Sequence, residues 1–326
     1  MFRFIIRRTL GAVITLLIIA ACTFFLFFAI PADPARLACG KVCPPELLEQ
    51  ARHNLGLDQP LFVQFLTWVA GIFVGRDYEG LGYCSAPCLG FSFVNKAPVL
   101  DTILDRMPLT ISLTVGSAVV FLLFGVATGI VAALKQGKAL DKIASVSSLI
   151  GASLQIYFIG TLALYFLVYQ NHILRQPRYV PITEDPVGWA MGLMLPWVVL
   201  AIIFTANYTR MTRSTMVEQL TEDYVRTARA KGMPNRSVVM RFALRGTLIT
   251  IVTILGVDLG TLIGGAIITE QTFGLQGIGQ LSIRAVWSSD LPMLMATVLV
   301  AAGAIVVFNI IVDVLYAVID PRVRLS

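Results

Sequence analysis

Long apolar runs separated by short clusters of charge make up most of the chain. A stretch free of Asp, Glu, Lys and Arg that exceeds about 18 residues can span a bilayer, because the hydrocarbon core is about 30 Å thick and a helix rises about 1.5 Å per residue. Six stretches pass this test: Leu10 to Ile30, Met107 to Leu134, Ile143 to Leu174, Pro186 to Thr209, Gly246 to Thr269 and Leu291 to Val312, the fifth interrupted only by Asp258. Lipid offers no partner to a free backbone N–H or C=O, so the pattern predicts six transmembrane helices. The first run follows Arg3, Arg7 and Arg8, as a secretory signal would, but its 21 uncharged residues exceed the usual signal core. Residues 1–30 therefore read as a retained N-terminal anchor helix.

Composition turns a pattern into a class. A chain of 326 residues could hold two soluble domains, but 57% hydrophobic and 13% charged residues with a mean hydropathy of +0.80 exclude that and exclude disorder. The expectation is an all-α polytopic membrane protein. Its net charge of +6 carries topological information first, since basic residues of membrane proteins crowd the cytoplasmic side. With the amino terminus inside, 16 of the 25 arginines and lysines fall on inner segments, eight of them between Arg210 and Arg245. Both termini are thus expected in the cytoplasm, membrane lipid surrounds the chain, and no nucleic-acid partner is implied.

On this topology residues 31–106 form an extracytoplasmic segment and residues 107–326 a core of five spans. Pro44-Pro45-Glu46 followed by Leu48, Ala51 and Leu55 predicts a short amphipathic helix. Leu61 to Val74 is apolar but only three or four turns long, so it lies along the membrane surface or packs on the spans. Cys39, Cys43, Cys84 and Cys88 share this outer segment, where disulfides persist. A four-residue offset favours Cys39 with Cys43 and Cys84 with Cys88, with crossed pairing left open. A four-cysteine zinc site is the rival reading and competes poorly with oxidation outside the cell. Cys22 in the first span reads as a small apolar filler. Gly274, Gly277 and Gly279 do not follow a strand, so they are not expected to cradle phosphate.

Between the fourth and fifth spans, residues 210–245 give far more chain than a reversal needs. Thr221 is expected to cap a helix with Glu222 and Asp223 in its first turn and Arg226, Arg229 and Lys231 toward its end, opposing the macrodipole at both ends. Gly232 supplies a left-handed stop and Pro234 forbids continuation. Asn235 or Ser237 then caps a second helix carrying Val238, Val239 and Phe242. Small residues at the corner, Ala228, Ala230 and Gly232, are expected to let a partner approach closely. A solvated basic loop is the plain alternative.

Specific sequence favours the partner. The run Arg210-Met-Thr-Arg-Ser-Thr-Met through Glu222-Asp-Tyr-Val-Arg-Thr-Ala-Arg-Ala-Lys-Gly232 resembles the "EAA" loop of binding-protein-dependent ABC importers, in the form found in permeases of the dipeptide/oligopeptide/nickel branch. Leu55-Gly-Leu-Asp-Gln-Pro-Leu61 and the tail from Asn309 through Asp313 and Tyr316 to Asp320-Pro-Arg322 extend the resemblance over nearly the whole chain. It implies a type I ABC importer (MetI-like) permease fold in a bacterial inner membrane, forming half of a translocation pathway for di- or oligopeptides. It also implies an ATPase-coupling site comprising Glu222, Asp223, Tyr224, Arg226, Thr227, Ala228, Arg229, Ala230, Lys231, Gly232 and Pro234. The implied partners are a second homologous permease, two cytoplasmic ATPase subunits that hold ATP and Mg, and an extracytoplasmic substrate-binding protein. No G-x-x-x-x-G-K-[ST] occurs, so this chain is expected to hydrolyse nothing and to carry no cofactor or metal of its own.

Two departures stand out. Ser153-Leu-Gln155-Ile-Tyr-Phe-Ile-Gly160 has glutamine where the family usually has proline, which removes the residue expected to kink the third span. The fifth span begins Leu248-Ile-Thr250 where relatives often have proline. Among polar groups in the spans, Asp258 reads either as an interhelical hydrogen bond or as a lining of the substrate route, with Gln155 a second pathway candidate. Asn309 and Asp313 share one helical face, and Gly264 and Gly265 with Thr261 suit close packing of the fifth span. A secondary transporter or channel working without an ATPase is the main rival, with little intramembrane charge to support it. A membrane-embedded enzyme finds only His53 and His172 and no nucleophile beside them.

Overall fold

The structure, a computed structural model, describes residues 2–29, 35–36, 44–55, 57, 59–78 and 82–319. Along the chain run α1 (Phe2–Ala29), α2 (Pro45–Leu55), α3 (Leu61–Val74), β1 (Arg76–Tyr78), β2 (Gly82–Cys84), β3 (Phe91–Ser92), β4 (Ala97–Pro98) and α4 (Val99–Leu134), then α5 (Ala139–Ser153), α6 (Ile156–Gln170), α7 (Pro186–Thr221), α8 (Asp223–Ala230), α9 (Asn235–Ile263), α10 (Ile267–Phe273), α11 (Ile278–Ser288) and α12 (Leu291–Ile319). Among the described residues five helices are long and apolar enough to cross a membrane, and six crossings result if α5 and α6 are counted as one bent span. The chain divides into two compact units: Met1–Thr110 with Gly260–Glu270 and Gln276–Val307, and Ile111–Leu259 with Gln271–Leu275 and Phe308–Ser326.

In the first unit α3 packs on α1 through aromatic contacts, with Phe24 5.5 Å from Phe65 and 5.7 Å from Trp68 between ring centroids. Phe93, Leu291 and Met295 close the same core, so the short apolar helix is packed on a span as its length requires. The all-helical expectation omits β1 paired antiparallel with β2 and β3 with β4. These ladders are two or three residues long, too short to leave an alternating pattern in sequence. The Cys84–Cys88 disulfide is present, against buried Tyr78 and Phe91. Cys39 and Cys43 lie outside the described residues, and Cys22 is exposed rather than packed as filler.

The second unit is held by small residues facing large ones. Cβ atoms added at Gly125 and Gly129 would lie 2.7 Å from Tyr208 Cβ and 2.6 Å from Thr212 Cβ, and one at Gly116 would enter the Trp197 ring. Such glycines let helices approach where lipid supplies no hydrophobic drive between them. Phe121 is fully buried, stacked on Phe204 at 5.0 Å and tilted against Tyr208 at 4.9 Å.

Three span expectations need correction. The stretch Ile143 to Leu174 is not one straight helix, because Leu154 and Gln155 are extended (ψ 139° and 135°) and the chain turns by 93° between α5 and α6. The bend expected to be lost with proline is there without it. Ser153 Oγ donates to the Leu149 carbonyl at 2.9 Å, a back-bond that competes with helix continuation. The fourth helix does not stop at Thr209 but runs to Thr221, since nothing in Arg210–Thr221 breaks a helix and Thr212 and Met216 are fully buried. The fifth stops at Ile263 rather than Thr269, because Gly265 takes φ +130°, open to glycine and strained for other residues. Gly264 abuts Ala301, the close packing expected of it.

Candidate functional site

The elbow between α7 and α9 is built by backbone geometry first. Glu222 leaves the helical region (ψ 149°) at the N-cap of α8, and Lys231 takes its C-cap position. Thr221 is not the cap, because it is still the last residue of α7 and its hydroxyl donates to the Glu218 carbonyl at 2.7 Å. Gly232 adopts φ +76°, and its N–H donates to Arg229 O at 2.9 Å, closing the helix with the left-handed residue that glycine favours. Pro234 then occupies the cap position of α9, so Asn235 and Ser237 lie within the helix and neither caps it.

Packing holds this turn shut. Val225 and Val238 are fully buried and Ala228 nearly so, with Leu220, Met233 and Phe242 around them. Ala228 therefore faces the elbow's own seam and not a partner, since it lies three residues from Val225 on one face of α8. The opposite face is presented to the surroundings: Glu222, Asp223, Tyr224, Arg226, Thr227, Arg229, Ala230, Lys231, Gly232 and Pro234 are all exposed. Arg226 and Asp223 form one exposed ion pair at 3.6 Å, a contact of little energetic weight. The Tyr224 hydroxyl donates to Gln219 Oε1, tying α8 to the end of α7. Partial burial, and then the neighbouring Glu222 charge, raise the Tyr224 pKa. A Cβ at Gly246 would strike the same Gln219 carboxamide, so α9 also closes on this point.

The other site residues predicted from sequence lie elsewhere in the second unit. Asp258 accepts from the buried Tyr208 hydroxyl at 2.8 Å, which is the interhelical contact weighed for it. Gln155 is exposed at the α5–α6 bend, and its side chain caps nothing. Sequence reasoning missed Asp141, which takes a two-pronged contact from Arg213 (Nη2–Oδ2 2.9 Å) and accepts from Gly137 N at 2.9 Å. The signal was available, because Arg213 and Asp141 carry opposite charges in polar stretches expected on the same side of the membrane.

Two buried carboxylates in the first unit were also missed. Glu270 is fully buried, where its Oε1 accepts from Thr110 Oγ1 and its Oε2 from Gln280 N, both at 2.9 Å; Thr110 Oγ1 in turn accepts from Ile278 N at 3.0 Å. Gly277 is required there, since a Cβ would collide with the Glu270 carboxylate. The glycines around 274–279 thus make room for a protein carboxylate. Asp290, 1% exposed, accepts from Ser92 Oγ and from Met293 N at 3.4 Å. Burial raises the pKa of both carboxyls against the lowering effect of their donors.

Apolar spans that carry a folded, charged elbow define a multi-pass membrane protein. Residues 125–325 match the family described as binding-protein-dependent transport system inner membrane component, and residues 1–114 match the N-terminal membrane component of the same system. A Brucella abortus (strain 2308) protein named as a putative peptide transport system permease is 36% identical over 98% of both chains. The glutathione transport system permease GsiC of Escherichia coli O6:H1 is 34% identical over 99% of both. A Sinorhizobium fredii protein named as a peptide ABC transporter permease is 32% identical over 98% of this chain and 99% of its own. The chain belongs to the binding-protein-dependent inner-membrane permease family. It is a multi-pass protein of the bacterial inner membrane and the permease component of an ABC importer, a system that includes ATPase and substrate-binding partners.

Proposed function

We propose that this chain forms half of an import pathway for di- or oligopeptides and that its elbow, residues 210–245, seats in a cytoplasmic ATPase subunit. The observation that carries the reading is the elbow itself, a short helix closed at Gly232 whose apolar face is used up internally while its polar face is left exposed. Peptide as cargo is supported by relatives named for peptide and glutathione transport at 32–36% identity over nearly the full length. In this reading both termini are cytoplasmic, a second homologous permease completes the pathway, and two ATPase subunits bind ATP and Mg while this chain hydrolyses nothing. An extracytoplasmic binding protein delivers the peptide. Gln155, exposed at the bend, faces the route, and Asp258 serves as a packing contact.

Charge cannot provide the coupling. Moving a two-state pore from 1:99 to 99:1 takes about 5.5 kcal/mol of differential binding, whereas an exposed ion pair contributes at most about 1 kcal/mol. Backbone shape at Gly232 should dominate. A Cβ there meets nothing within 4 Å, so substitution acts through φ, at a cost of roughly 1–2 kcal/mol for an ordinary side chain. Gly232→Val is expected to insert normally, to lose the ATPase subunits on purification and to abolish peptide uptake. Wild-type uptake at wild-type membrane abundance would sink the coupling assignment, and ion flux through the purified chain alone would favour a channel.

A further inference from the structure

In the first unit, a cavity of about 480 Å³ opens between the β3–β4 turn, the start of α4 and α11, lined among others by Asn95, Thr102, Arg106, Arg284, Trp287 and Asp290. Its volume falls in the range of small-ligand sites. The charge balance at its wall is positive, because two guanidiniums face one carboxylate, and that carboxylate is nearly inaccessible and already engaged by Ser92. Arg106 is held in place by the Gln276 carbonyl at 3.3 Å and by the Gln276 side-chain oxygen. Arg284 is exposed, and among the described residues its guanidinium meets no acidic partner. Trp287, 63% exposed, lines the cavity and can offer its indole to a bound group. Leu281 and Met293 supply apolar wall beside these polar groups.

We propose that this cavity binds the terminal carboxylate of a short peptide, with Arg284 and Arg106 on the carboxylate and Trp287 against the last side chain. Guanidinium forks match a carboxylate in shape and charge, and charge-assisted hydrogen bonds are roughly twice as strong as neutral ones. The inference rests on the peptide reading above and on the topology expected from the charge bias, which puts residues 31–106 and 270–292 outside. It adds a place on the permease itself that holds cargo.

The test uses the purified complex in discs of zwitterionic lipid, titrated with trialanine and with its C-terminal amide while tryptophan fluorescence is recorded. Trialanine should change the emission, Trp287→Phe should remove the change, and the amide should bind about tenfold more weakly, the order expected for one lost charge-assisted pair. Arg284→Gln should weaken trialanine by about the same factor and leave the amide unchanged, which a merely structural role for Arg284 would not do. Equal affinity for acid and amide, equal weakening of both by Arg284→Gln, or a response to anionic lipid in place of peptide would each overturn the proposal. Uptake of trialanine by vesicles holding the complete system separates the two readings. Uptake without the fluorescence response removes this site and leaves peptide import standing, whereas absence of both removes the peptide reading as well.

Discussion

In the elbow, fully buried Val225 and Val238 form the seam and every charged group of α8 is exposed; around Glu270 the carboxylate is fully buried and held by hydrogen bonds. The elbow's exposed charges can be exchanged at little cost to the fold. The Glu270 clamp has no such freedom, because removing one member strands buried donors. The elbow, proposed to meet another protein, thus keeps its apolar groups inside, and the Glu270 site keeps its polar groups inside.

The strongest way to break this contrast is Glu270→Ala. It removes the acceptor of the Thr110 hydroxyl proton and of the Gln280 N–H in a buried site and should cost about 3 kcal/mol, read as a lowered unfolding temperature in detergent. Glu270→Gln, which keeps an acceptor, should lose much less. If the two variants unfold alike, the hydrogen bonds are not what holds the clamp.

Next comes the elbow's seam. Val225→Ala removes two buried methyl groups and should cost about 2 kcal/mol, with loss of ATPase association, while Arg226→Ala leaves unfolding unchanged. Should Arg226→Ala prove the more damaging to stability, charge rather than packing supports the turn.

The smallest effect is a pH slope. Burial raises the pKa of Glu270 and Asp290, so the folded chain holds those protons more tightly than the unfolded one. Their contribution is complete below the ordinary carboxylate range and is lost as pH rises through the raised values. Thermal unfolding followed upward from the carboxylate range should show stability falling, with a shallower fall in Glu270→Gln. A rising slope assigned to these residues by that variant would reverse the picture.

Much of the architecture was legible because apolar length reports directly on bilayer thickness, and Gly232 followed by Pro234 reports directly on where a helix must stop. The span ends were less legible. Arg210–Thr221 is polar, so it looks like loop, yet it continues α7 because burial of Thr212 and Met216 and the Asp141–Arg213 contact hold it. The caps expected at Thr221, Asn235 and Ser237 were misplaced by one to three residues, since capping depends on where the preceding helix ends.

By itself the sequence determined the membrane class, the approximate spans and the charge order of the elbow, which depend on composition and local spacing, and its motifs carried the family resemblance. Tertiary structure alone decided which residues meet across distance. It turned Ala228 inward, bent the third span without proline, and made Glu270 and Asp290 buried acids of the first unit while Asp258 found Tyr208 in the second. The reason is physical: a buried carboxylate is tolerable only beside donors brought from elsewhere in the chain, and Thr110 stands 160 residues from Glu270.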